Sequence, residues 1–257
     1  MIKLREALAK QLNRTQKVRH NSYPVREMAE RLLALSDEQL GQYAFLHEPL
    51  EGRFHPEQKA RYIQQANACG QQTAMQLRES ICARIGEAKP AVVLTELAEE
   101  LHLTVRDEQV PSGGGHVIFA QYVEPDRITI FRDCLDCLED LIRTEGLEDL
   151  FADVDFRSVL LAHELFHAVE YARKDRIYTQ TEKVELWHRP FSNKSKILAL
   201  SEMAAMAFAK ELCSLPFSPY ALDVLLIIPY NREAACALYE EIMTAAGAPT
   251  QTGEETC

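Results

Sequence analysis

Two histidines four positions apart, His163-Glu164-Leu165-Phe166-His167, limit what this chain can fold into more than any other stretch. Side chains at i and i+4 of an α-helix lie one above the other, so on a helix His163 and His167 offer two imidazoles to a single cation. Glu164 then projects about 100° round the axis, where its carboxylate reaches a water held by that cation without itself being a ligand. The flanking sequence predicts such a helix. Asp155 is a suitable N-cap, and Phe156, Val159, Leu160, Leu165, Phe166 and Val169 supply apolar surface to bury. The ordinary alternative is a core helix whose histidines bond to backbone, and a third ligand separates the two readings.

A catalytic zinc site has three protein ligands and one open position. The candidates downstream are Glu170, Asp175, Glu182, Glu185, His188 and Glu202. Glu170 is only three residues beyond His167 on the same helix and cannot easily close a tetrahedron there. It also stands where the pattern H-E-x-x-H-x-x-G-x-x-H has its glycine. Glu202 is better placed, on a second helix predicted over 193–213 and surrounded by Ala199, Ala204, Ala205, Ala207 and Ala209. These small residues permit close approach of a neighbouring helix. A carboxylate among them is costly unless paired or bound to metal. Its ordinary alternatives are solvation or pairing with Lys196 or Lys210. Together His163, His167 and Glu202 favour Zn2+ as the cofactor, with Glu164 as general base.

These motifs resemble those of the ImmA/IrrE-type zinc metallopeptidases. The resemblance rests on the strand 128–130, on Leu161-Ala-His-Glu-Leu-Phe-His167, and on Glu202-Met-Ala-Ala-Met-Ala-Phe-Ala-Lys-Glu-Leu212, and it covers roughly residues 90 to 215. It implies a gluzincin-like fold, metal ligands at His163, His167 and Glu202, a general base at Glu164, and selective cleavage of a protein substrate, typically a transcriptional regulator. The chain departs from the family at Phe166, where a glycine is usual, in a longer insert between the motifs, and in a helical first third without a counterpart. The expected function is therefore a regulatory zinc-dependent endopeptidase that hydrolyses a peptide bond through a metal-activated water. The rival is a catalytically silent module of the same fold that binds a protein partner.

Composition narrows the classes further. At 257 residues the chain is long enough for one large domain or two small ones. It has no run of about 18 apolar residues, and Lys3, Arg5, Glu6, Lys10 and Arg14 interrupt every short hydrophobic stretch near its start, so a cytoplasmic protein without membrane contact is expected. The net charge is −11, although residues 1–26 carry seven Lys/Arg against Glu6 alone. That basic stretch reads as a solvated helix docked on an acidic body, and the body disfavours direct contact with nucleic acid. Seven scattered cysteines suit a reducing compartment. Cys134 and Cys137 lack the second pair that a zinc knuckle needs, and are expected to be ordinary thiols on a helix.

Along the chain, helices are expected over 1–22, from Pro24 to Leu33, after the N-cap Ser36, across 56–85 with Gly70 as a possible break, and from Pro90 to Leu101. Residues 94–105 look like half of a helix-turn-helix. The segment that follows is acidic and broken by Pro111 and three glycines, so a helix leading into a strand is the better description. Residues 116–123 and 127–131 predict an antiparallel hairpin. A short helix over 134–143 and an acidic loop over 146–155 precede the H-E-x-x-H helix. Helices are also expected from Ser218 to Pro229 and from the cap Asn231 to Ala246, with a disordered tail from Gly247. The fold class expected is α+β and mainly helical, a zincin-like core with a small antiparallel sheet. Its divisions are a helical region 1–88, a metallopeptidase core 89–215 and C-terminal helices 216–257.

Overall fold

The computed structural model describes residues 23–109, 118–187 and 193–248. The predicted helix over 1–22, the glycine triplet, His188 and the tail beyond residue 248 lie outside these residues. The architecture is mainly helical, at 65% helix, with a small sheet, as the coarse part of the expected class has it. No helix among the described residues is long and apolar enough to cross a membrane.

Local signals place most of the helices. Pro24 precedes α1 (Val25–Leu33), and Ser36 and Gln39 close a reciprocal capping box at the start of α2 (Asp37–Leu46). Pro56 opens α3 (Pro56–Ile85), which is 30 residues long, or about 45 Å. Gly70 does not break it. A Cβ at Gly70 would run into the backbone carbonyl of Ala204, so the glycine is there because another helix crosses within backbone contact of this point. Pro90 opens α4 (Pro90–Glu100), and β1 (Thr104–Glu108) follows as a strand.

The predicted hairpin is present as β2 (Ala120–Val123) and β3 (Arg127–Phe131), paired antiparallel. β1 joins the other side of β3 in parallel, so the sheet is mixed, in the order β1-β3-β2. A wholly antiparallel sheet was expected. The parallel strand arises because α4 returns the chain to the start of β3, where Thr104 N–H donates to Asp126 O at 2.7 Å. The helix α5 (Arg132–Thr144) carries Cys134 and Cys137 as free thiols. The acidic loop contains one helical turn, α6 (Glu148–Phe151).

Asp155 caps α7 (Phe156–Ala172) by accepting from Ser158 N–H at 3.1 Å. After α8 (Tyr178–Thr181) comes a second hairpin, β4 (Lys183–Trp187) with β5 (Asn193–Lys196). The second motif helix, α9 (Leu198–Leu212), therefore begins five residues later than expected, because pairing with β4 claims the polar residues 193–196. The helices α10 (Ala221–Ile227) and α11 (Arg232–Ala245) complete the chain, with Asn231 capping the latter through Ala234 N–H.

The layers run α3, α9, α7, sheet. α9 lies between α3 and α7, while α7 also meets α4, β2 and β3. The alanines of α9 make this possible, since Ala204, Ala205 and Ala209 are fully buried and short side chains let both neighbours come close. Phe166, where the resembled family has glycine, is fully buried and packs on Phe208 of α9 at 5.5 Å between ring centroids. One apolar cluster runs from Tyr23 through α3 and α7 to Met243. The start of α9 is held from the first third of the chain, because the buried Glu48 accepts from Ala199 N–H at 3.0 Å and from Leu50 N–H at 3.1 Å.

Candidate metal centre

α7 and α9 bring the three expected ligands together. The Nε2 atoms of His163 and His167 are 3.2 Å apart. Glu202 places Oε2 at 3.5 Å from His163 Nε2 and Oε1 at 3.9 Å from His167 Nε2. Ligand atoms about 2.0–2.2 Å from a tetrahedral zinc lie roughly 3.3–3.6 Å from one another, so one ion fits among these atoms with small adjustment. Among the described residues this is the group of His, Cys, Asp and Glu side chains whose geometry suits a metal ion. The side chains are nearly enclosed, at 11%, 2% and 12% exposure for His163, His167 and Glu202. Lys210 pairs instead with Asp37 at 2.7 Å, and Lys196 with Gln180. The alternative partners considered for Glu202 are thereby taken.

Glu170 lies outside the group whose geometry suits an ion, and the structure gives it a different place. Its Oε2 is 3.8 Å from the far nitrogen of His167, Nδ1, and accepts from the Ser201 hydroxyl at 2.8 Å. Ser201 Oγ in turn lies 3.3 Å from His167 Nδ1. Thr179 donates to the other oxygen of Glu170 at 2.5 Å. Burial opposes a charge on Glu170, but the bonds with His167, Thr179 and Gln180 outweigh it and hold the carboxyl below its ordinary range. Burial likewise opposes a proton on His167. Hydrogen bonding to Glu170 and the charges of Glu202 and Glu164 outweigh it and raise the imidazole's affinity for a proton. A carboxylate behind a liganding histidine fixes the ring's tautomer and orientation. Sequence reasoning rejected Glu170 as a ligand and stopped there, although its i+3 spacing from His167 was the available signal.

Glu164 is fully buried at the sheet side of α7, where its Oε2 accepts from the backbone N–H of Tyr122 at 2.7 Å. That bond leaves β2 on the side away from β3, since Phe119 O, just before β2, accepts from Phe131 N–H toward β3. Among the described residues β2 is the edge of the sheet, so the expected base sits where an edge strand passes α7. A main-chain donor carries no sequence signature, and the sequence offered no sign of it.

A pocket of about 390 Å3 reaches His167 and Glu202. Its wall includes Ala44 and His47 of the first third, a region without a counterpart in the resembled family. The His47 ring packs edge-on against Tyr43 at 5.0 Å and its Nε2 is 3.5 Å from Glu241. Burial, partly opposed by Glu241, lowers its affinity for a proton. Tyr171 is on the pocket wall, whereas Tyr178 donates its hydroxyl to Gln65 at 2.8 Å. The insert between the motifs contributes Gln180 and Lys196 to the wall, and Arg53 ties its hairpin down by donating to Leu186 O at 3.1 Å.

Comparison with protein-family models, with curated proteins and with solved structures gave no match. The class of this protein accordingly rests on its own site, a two-histidine, one-glutamate centre shared by two crossing helices.

Proposed function

We propose that the chain is a zinc-dependent metallo-endopeptidase with a zincin-like core, acting selectively on a protein or peptide substrate, with a transcriptional regulator as the kind of target the ImmA/IrrE resemblance implies. The observation that carries this reading is the approach of His163, His167 and Glu202 to tetrahedral spacing, with Glu164 on the same helix as the histidines. Zn2+ held there supplies Lewis acidity toward a water and a peptide carbonyl. Glu164 takes the proton of the attacking water and passes it to the leaving amine. The Tyr122 amide holds that carboxylate by one oxygen, which limits its rotation. Glu170 and Ser201 keep His167 facing the ligand set.

One observation favours the second reading, a silent module that binds a partner through the same site. Glu164 is wholly buried, with an oxygen already engaged. A single experiment separates the two readings. Purified protein should carry about one zinc per chain, and the zinc-loaded form is incubated with a diverse peptide library and its products read by mass spectrometry. The peptidase reading expects cleavage that drops by about 10²–10⁴-fold in Glu164→Gln with zinc retained, and loss of zinc in Glu202→Ala. A loaded wild-type protein that cuts nothing, or a Glu164→Gln variant that cuts equally well, overturns it.

A further inference from the structure

The pocket beside the ligand set has two cations on its wall, Lys174 at the end of α7 and Lys196 at the end of β5. Neither is neutralised by a carboxylate among the described residues, in a chain whose net charge is −11. Lys196 is instead held by the side-chain carbonyl of Gln180, and Lys174 places its ammonium 5.3 Å from the centre of the Tyr171 ring. Gln180 also bonds to Glu170, the carboxylate behind His167. A continuous chain of polar contacts therefore links one wall lysine to a liganding histidine. Three carboxylates face the same pocket, Glu124, Glu170 and Glu202. Glu202 belongs to the ligand set and Glu170 to His167. Against the two ammonium groups stand these three carboxylates, so the wall is negative by one charge as it stands and positive by one once a divalent cation occupies the ligand set.

An arrangement of this kind attracts negative charge and repels positive charge, and such complementarity selects among partners more strongly than it raises affinity for all of them. We propose that the pocket selects an acidic chain, a substrate residue bearing a side-chain carboxylate next to the group held at the ligand set, with Lys174 and Lys196 as the residues that read it. This rests on the metallopeptidase reading and adds to it the chemical class of the substrate.

The test uses two short peptide hydroxamates that differ only in carrying Glu or Gln beside the hydroxamate, titrated calorimetrically into the zinc-loaded full-length protein. The Glu probe should bind about tenfold more tightly at low salt. The difference should shrink as salt rises and should close in the Lys174→Gln/Lys196→Gln double variant, whose exposed positions leave the fold unchanged by thermal melting. Equal binding of both probes to wild-type protein overturns the acidic preference and leaves the metal centre standing. A preference that survives the double variant overturns the role of the two lysines. Failure of both probes to bind, or failure of the protein to take up zinc, removes the metallopeptidase reading and the inference with it.

Discussion

At the scale of single residues, the centre depends on carboxylates that do different work. Glu202 offers an oxygen to the group that could hold an ion, Glu164 is held by a main-chain amide at the sheet, and Glu170 stands behind His167. The last role gives a sharp expectation. Glu170→Gln keeps the shape and most hydrogen bonds but removes the negative charge from the back of the imidazole. Loss of an outer-shell partner typically costs 10–100-fold in metal affinity, so competition against a chromophoric chelator should show zinc held 10–100-fold more weakly in Glu170→Gln, with one ion still bound at saturation. Unchanged affinity would make the contact to His167 incidental. The grouping of His163, His167 and Glu202 was legible in the sequence, because i, i+4 spacing and a carboxylate set among alanines are local patterns. The anchoring of Glu164 was not, because its donor is a peptide group that Tyr122 shares with every residue except proline.

At the scale of elements, the position of Glu202 depends on how closely α3 approaches α9. Gly70 faces the backbone at Ala204, two residues beyond the ligand, and backbone cannot move aside as a flexible side chain can. Gly70→Ala should therefore force the helices apart, at a cost of about 1–3 kcal/mol, seen as a fall of several degrees in Tm, and should weaken zinc binding as Glu202 is displaced. Gly41→Ala is the comparison, because the nearest atoms a Cβ there meets belong to the Ile63 side chain and not to the backbone of α9. If the two variants hold zinc equally well, the crossing does not position the ligand.

The same elements show where sequence reasoning works and where it fails. Ser36, Pro56, Pro90, Asp155 and Asn231 announce helix starts by chemistry contained within a turn of chain, and the structure places helices at each. Gly70 and residues 193–196 were misread because their surroundings decide them. The glycine is kept by a distant helix, and the polar run is recruited by β4. The parallel placement of β1 depends on the path of α4, which no periodicity in β1 itself reveals.

At the scale of the whole molecule, an ion at this centre would join α7 to α9, and through their packing the sheet to α3. Anything that binds the folded chain and not the unfolded one adds its binding free energy to stability, about 4 kcal/mol when free ligand is a thousandfold above Kd. For a chain of this size that corresponds to roughly 8–16 °C in Tm. Stripping zinc with a chelator should lower the melting temperature of the wild-type protein by about this much and leave that of Glu202→Ala nearly unmoved. Coincident melting curves for stripped and loaded wild-type protein would mean that no ion bridges the two helices.

The bond from Glu48 to the first turn of α9 spans 151 positions of chain. Contacts between such remote segments form only after a large loop has closed, and folds rich in them mature slowly. During synthesis the first third leaves the ribosome long before α9 exists, so its half of the pocket must wait with its partner surface uncovered. Any hydrolytic power of this chain is thus withheld until α9 has been made.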